Sequence, residues 1–296
     1  MKINLNHLPV VAFCLLGIIW GSNFIYMKLA SKLITPSQIV FFRVLFGFIP
    51  VLIYSLYLGV LSWKHLKHSG HFFVMALIAT TIYYYGFAKG TSLLLSGVAG
   101  AVSGAIPLFS FILAVLFIAE EKITKTKAIG VFVGFIGVVI IGRPSGQDLM
   151  STNIEGVFYM VAGSLSVGAS FVYAKKYIIP LKISAAALTT YQLGFGLILL
   201  ALVTDYSGIG NIWTEVHASV GLIVGLGLLG TGLAYIIYYY IVEKLGAIAA
   251  SSVTYIPPVV ALLIGSFLVG EPIEMVDYAA TFLIFFGVFL LKQKSI

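Results

Sequence analysis

The sequence predicts an all-α membrane protein of ten transmembrane helices in two inverted five-helix repeats, and three observations carry that prediction. The 296 residues are 60% hydrophobic and 9% charged, with a mean hydropathy of +1.10. Soluble domains carry roughly a quarter charged residues, so lipid must be part of this chain's solvent. The apolar residues fall into ten runs, most of them near the roughly 20 residues that span a bilayer as helix. Finally, the first and second halves align with each other.

The runs lie at about 8–30, 38–58, 71–89, 92–118, 127–142, 154–174, 184–203, 218–241, 247–268 and 276–292, the fifth and tenth being short. They lack the period-2 alternation of barrel strands, and backbone groups in hydrocarbon must be paired within the segment, so each run is expected to be a helix. Lys2 followed by the apolar stretch Leu8 to Leu29 resembles a secretory signal, but the stretch exceeds a signal's apolar core and has a counterpart in the second half. It is therefore expected to remain as the first span. Cys14 lies inside that span and reads as a small packing residue, with no second cysteine for a disulfide or a thiolate metal site.

Without a gap, Gly21-Ser22-Asn23-Phe24-Ile25-Tyr26-Met27-Lys28 aligns with Gly168-Ala169-Ser170-Phe171-Val172-Tyr173-Ala174-Lys175, and the same offset pairs Gly47-Phe48 with Gly194-Phe195. Further along, the offset grows by three and pairs Tyr85 with Tyr235, Ile106-Pro107 with Ile256-Pro257, Glu121 with Glu271, and Gly137-Val138 with Gly287-Val288. Apolar identities are cheap in membrane sequences, so the paired Lys, Pro, Tyr and Glu carry the weight. Two repeats at 8–142 and 154–292 follow. Each holds five spans, an odd number, so the second must enter the bilayer from the opposite side.

An even total puts both termini on one side. Lys2, Lys64, Lys67, Lys122, Lys125, Lys127, Lys175, Lys176, Lys182, Lys244, Lys292 and Lys294 lie there, against Lys28, Lys32, Lys89 and Arg143 opposite. The positive-inside rule then places the termini in the cytoplasm. The net charge of +7 is accounted for by this topology, and with no aromatic-interleaved basic stripe no nucleic-acid partner is expected.

Taken together, Trp20-Gly21-Ser22-Asn23-Phe24, Phe41-Phe42-Arg43, the Pro107 and Pro257 helices, and Gly270-Glu271 before a glycine-bearing last helix resemble the EamA-type transporters of the drug/metabolite transporter superfamily. The resemblance covers nearly the whole chain. It implies a ten-helix carrier, in two five-helix halves around a central cavity, and many members export amino acids or related metabolites. Arg43 aligns with Thr190 and Trp20 with Val167, so any role for those two belongs to one half.

Several residues are candidates for the cavity. Trp20, Asn23 and Met27 share a face of the first helix by their i, i+3, i+4 spacing, and the cost of an amide in lipid turns that face inward. Tyr83, Tyr84 and Tyr85 sit near the middle of the third helix, where at least one should line the interior, whereas Tyr238 to Tyr240 at a helix end suit the lipid interface. Together with Tyr191, Gln192 and Tyr255 the central tyrosines form the expected wall, suited to apolar or aromatic solutes with a few polar groups. Arg43 lies roughly 9 Å into the second helix at 1.5 Å per residue, either snorkelling to carbonyls and headgroups or meeting a substrate carboxylate. Lys28 and Lys175 read as interface anchors. Pro107 and the pair Pro257-Pro258 free carbonyls near Ser103, Val253 and Thr254, forming either a paired hinge or kinks that improve packing. Ser96 to Ala105, rich in Gly, Ala and Ser, and Ala249 to Ser252 are small surfaces for close helix approach, with Ser103 the candidate binding residue among them.

The acidic residues all lie in loops or at helix ends, and Glu271 before Pro272 reads as a helix start. A proton-coupled cation exporter with a membrane-buried carboxylate is therefore disfavoured. His7, His65, His68, His71 and His217 fall in or beside loops, so no catalytic group, metal site or cofactor is expected, and an intramembrane enzyme is the poorer reading. The expected activity is secondary transport of amino acids or other small metabolites in a cytoplasmic membrane, the alternative being efflux of drugs or other organic solutes. Nothing in the sequence sets the oligomeric state, and a monomer is compatible with it.

Overall fold

The computed structural model of the chain describes residues 8–119, 123–142, 153–245 and 252–291. Among these, ten helices follow in order: α1 (Leu8–Ala30), α2 (Pro36–Tyr57), α3 (Trp63–Leu93), α4 (Ser96–Phe117), α5 (Lys125–Gly142), α6 (Ile154–Leu181), α7 (Ala185–Val203), α8 (Val216–Leu245), α9 (Val253–Leu268) and α10 (Met275–Leu291). Seven are long and apolar enough to cross a membrane by length and composition; α5, α9 and α10 are the short ones. Glu121, Lys122, Arg143 and Ala249 to Ser251, singled out in the sequence, lie outside the described residues, as do His7 and the terminal lysines.

Local sequence sets most helix starts. Thr35 and Gln38 exchange side-chain and backbone hydrogen bonds as a capping box, with Pro36 in the first turn of α2. Asn153 caps α6 by accepting from the Gly156 N–H, Ser184 caps α7 at Ala187, and Glu215 caps α8 at His217 and Ala218. The third helix begins earlier than the apolar run from 71, because Ser62 accepts from the Lys64 N–H and starts a 3-10 turn over Trp63–His68. The boundary between the third and fourth spans falls at Leu94 and Leu95, both extended, rather than before 92.

Helix packing is its own image under exchange of the two halves. Three helices pack on their own counterparts: α2 on α7, α4 on α9 and α5 on α10. Further contacts between the halves come in swapped pairs, α1 on α9 matched by α6 on α4, α2 on α8 by α7 on α3, and α3 on α6 by α8 on α1. The correspondence reaches single residues. A Cβ on Gly21 would meet Val260 Cβ at 2.5 Å, and one on Gly168 would meet the backbone N of Ser110 at 3.0 Å. Gly21 and Gly168 are aligned, as are Ser110 and Val260, so each half uses the same glycine to bring the same pair of helices together.

Two further devices are repeated. Both α4 and α9 are interrupted, α4 at Gly104–Ala105 and α9 where the 3-10 turn Ser252–Tyr255 gives way to Ile256–Leu263, and Pro107 and Pro257 each sit in the first turn of the new segment. Both α3 and α8 widen into π-helix, over Leu77–Thr81 and Gly221–Leu233, at aligned positions.

Candidate functional site: a cavity between the halves

Between the halves lies a cavity of about 620 Å³, within the roughly 300–1,000 Å³ typical of small-molecule sites. Aligned residues from the two halves line it in pairs: Trp20 and Val167, Phe24 and Phe171, and Pro107 and Pro257. Its walls run from the bundle centre towards the side on which α1 begins, ending at Ala114, Tyr238, Thr254 and Leu291. In the other direction α4 closes on α9 and α1, with Gly100 against Ala261 and Phe24.

The π segment of α8 shapes the polar part of this cavity. Widening the helix by one residue per turn brings the Thr231 hydroxyl onto the Leu226 carbonyl, to which it donates at 3.0 Å, and the same hydroxyl accepts from Arg43 Nε at 3.1 Å. The Arg43 guanidinium lies 3.8 Å from the centre of the Tyr84 ring, a cation–π contact. Arg43 is only 4% exposed, and among the described residues no carboxylate pairs with it. Asn23, also 4% exposed, lines the same cavity beside Gly230, and its side-chain oxygen has no hydrogen-bond partner among the described residues. Aromatic rings make up much of the rest: Tyr83 packs on Tyr84 and edge-on to Phe87 at 4.8 and 4.7 Å, and Trp20 lies 6.0 Å from Tyr238.

The arrangement is a solute-sized, largely aromatic chamber at the seam of an inverted repeat. Residues 7–143 and 154–292 each match the model of the EamA-like transporter family. The chain belongs to that family. A protein of Archaeoglobus fulgidus described as an uncharacterized transporter is 27% identical over 276 residues, which is 93% of this chain and 95% of that one. The uncharacterized inner membrane transporter YedA of Escherichia coli K12 is 30% identical over 197 residues, 66% of this chain and 61% of its own, and YdfC of Bacillus subtilis, an uncharacterized transporter, is 26% identical over 254 residues, 86% and 80% respectively. A solved crystal structure shares the fold at a TM-score of 0.61 and 18% identity over 95% of both chains.

Against this EamA cavity the sequence expectations sort by position. Trp20, Asn23, Arg43, Tyr83, Tyr84, Ser103 and Tyr255 line it, with Pro107 and Pro257. Tyr191 and Gln192 do not. The Tyr191 ring stacks on Phe72 and its hydroxyl both accepts from the Ser62 N–H and donates to the Ser62 carbonyl, pinning the start of α3. Gln192 donates to Thr80 in the π segment of α3 at 2.9 Å. Pro258 is buried beside Pro257 and is not part of the wall. Ser103 turns its hydroxyl back to the Gly100 carbonyl at 2.5 Å.

Three other expectations change. Arg43 does not snorkel: α8 covers it and Tyr84 takes its face, so a residue near a helix end is nonetheless buried, bordering the cavity rather than the lipid. Lys28 is not a lipid anchor but donates to the carbonyls of Ser92 and Leu94, at 3.1 and 2.6 Å, capping the end of α3. Tyr238 belongs to the cavity rather than the lipid interface, because Trp20 opposite offers it a ring. Two residues add to the expected set: Thr231, which holds Arg43 from behind the wall, and Tyr235, which lines the cavity. The glycine-dense stretch Gly221 to Gly232, holding a single hydroxyl, was the sequence signal for the first.

Proposed function

We propose that this protein is a secondary carrier, an exporter or exchanger of amino acids or other small metabolites, which exposes the central cavity alternately to the two sides of a cytoplasmic membrane. The observation that supports this most is the cavity itself: it is walled by aligned residues of two oppositely oriented halves, and it is closed towards one side by Gly100, Ala261 and Phe24. A site on a pseudo-two-fold axis presents nearly the same surroundings to either face, so a small rocking of one half against the other exchanges which end is shut. The glycine-mediated contacts of α1 with α9 and of α6 with α4 supply matching surfaces for that motion, and the interrupted α4 and α9 supply matching pivots at Pro107 and Pro257. With the termini on the cytoplasmic side, the cavity faces the cytoplasm in this conformation.

The test is transport by the purified protein in liposomes. Saturable uptake that is accelerated by unlabelled solute on the opposite side, without single-channel conductance, is the expected result across a panel of amino acids and metabolites. Absence of uptake or exchange for every solute, from protein shown to be folded and inserted, would overturn the reading.

A further inference from the structure

We infer that the solute taken by this cavity is a monoanion, an organic carboxylate with an aromatic or branched apolar body, and that Arg43 is the group that receives its charge. This deepens the carrier reading and rests on it for the word solute; the binding site itself stands on the geometry alone.

Arg43 is permanently charged and nearly fully buried, so its charge needs a counter-charge or several strong acceptors. The protein supplies one acceptor, the Thr231 hydroxyl, and that bond uses Nε. Among the described residues no other hydrogen bond is made by Arg43 and no carboxylate reaches it, while the residue borders the cavity. The two terminal nitrogens are therefore the part of the guanidinium left for a ligand. They form the planar fork that binds a carboxylate through two parallel N–H···O bonds. The Tyr84 ring beneath and Thr231 at the side fix the plane of that fork, so little orientation is lost on binding.

The remaining lining decides the charge and the body of the ligand. Among the described residues Arg43 is the one charged side chain of the wall, so one negative charge brings that wall to neutrality, and a dianion or a phosphate ester would leave charge uncompensated in an aromatic chamber. Cations are disfavoured, since no acidic residue among the described ones lines the cavity and the guanidinium already occupies the Tyr84 face that would attract one. Trp20, Phe24, Tyr83, Phe87 and Phe171 offer ring faces and edges to an apolar body. Asn23 adds a polar contact whose oxygen nothing in the described protein satisfies, placing a hydrogen-bond donor of the ligand, such as a hydroxyl or an amino group, within the same chamber. An α-amino group is accommodated there without being required.

Four probes of nearly equal shape separate the terms: 3-phenylpropionate, its amide, 3-phenylpropylamine and phenylalanine. Each is titrated against the detergent-purified protein by thermal stabilisation and then offered in counterflow to proteoliposomes. The carboxylate is expected to bind at least tenfold more tightly than the amide, as loss of a charge-assisted pair implies, with the amine weaker still and phenylalanine close to the carboxylate. Arg43→Gln is expected to bring carboxylate and amide within twofold of each other, and Arg43→Lys, which keeps the charge and loses the fork, to retain part of the preference. Should Arg43→Gln fail to fold, the wild-type ratio of carboxylate to amide decides the matter alone. Equal binding of carboxylate and amide, a preference for the amine, an undiminished carboxylate preference in folded Arg43→Gln, or no stabilisation by any probe at millimolar concentration would each overturn the anion site. Carboxylate binding without counterflow would instead leave the site standing and remove the carrier reading.

Discussion

The carboxylate of Glu271 accepts a hydrogen bond from the backbone N–H of Gly97 at 3.0 Å, and its other oxygen accepts from the N–H of Ser96 at 2.8 Å, so a residue of the second half caps a helix of the first. Gly270 makes this reach possible: its φ of +70° turns the chain out of α9, a conformation that side chains with a Cβ resist. Lys28 holds the neighbouring end of α3 through the carbonyls of Ser92 and Leu94. The α3–α4 junction, on the side away from the cavity mouth, is thus fastened by a cation on its carbonyls and an anion on its amides, each matched to the local helix dipole.

Replacing Glu271 by Gln is expected to cost about 1–2 kcal/mol, the usual worth of a charged helix cap, seen as a lower thermal midpoint in detergent. Because the cap fastens the end of the bundle away from the cavity mouth, Glu271→Gln should also raise maleimide labelling of a cysteine placed at Val98, which is 3% exposed, in a background where Cys14 has been changed to Ser. Unaltered labelling would mean that the cap stabilises the fold without holding that end shut.

Gly21 and Gly168 should behave as a matched pair. Alanine at either position forces its Cβ against Val260 or against the backbone of Ser110, and overpacking of this kind costs about 1–3 kcal/mol. Gly210→Ala, where nothing lies within 4 Å, is the control and should change stability by no more than about 0.5 kcal/mol. A transport assay on the same three variants should show Gly21→Ala and Gly168→Ala impaired and Gly210→Ala unchanged, since both tight contacts lie between helices of different halves.

How much of this was readable without coordinates differs from residue to residue. The paired glycines and prolines were visible because a repeat prints the same constraint twice, and the symmetric helix packing follows from that pairing. Glu271 was legible as a helix-terminus partner, yet the helix it serves is α4, some 175 residues away in sequence, rather than the one that follows. Local pattern carries no information about such a partner. The burial of Arg43 was hidden for a related reason: distance along a helix predicts depth in the bilayer, whereas its burial depends on a glycine-rich π segment of another helix lying over it. Tyr191 and Gln192 were misplaced because α7 is apolar on nearly all sides, so the sequence does not reveal which face turns to the cavity.

Their true positions give a prediction that separates support from binding. Gln192→Leu removes the donor to Thr80 and should cost about 1 kcal/mol, and Tyr191→Phe removes both hydroxyl contacts with Ser62, with a similar loss. Neither should change the stabilisation produced by a bound solute. Tyr83→Ala, by contrast, removes a wall ring and should weaken that stabilisation. Equal effects of all three on ligand binding would show that the cavity extends to α7.

The start of α8 should be sensitive to acid. Glu215 accepts from the His217 side chain and from the backbone N–H groups of His217 and Ala218, and these bonds, with the His217 contact foremost, hold its carboxyl below the ordinary value of 4.5. The folded value is the lower one, so the cap contributes its full stability above the ordinary value and loses it as the pH falls through the folded value. Hydrogen exchange at the His217 and Ala218 amides should accordingly rise relative to neighbouring amides as the pH drops below about 4.5, after correction for intrinsic rates. Glu215→Gln, which cannot ionise, should show no such relative rise. The residue is partly exposed, so salt is expected to weaken the contrast, and a pH-independent exchange pattern in the wild type would show that the carboxylate charge does not support this helix start.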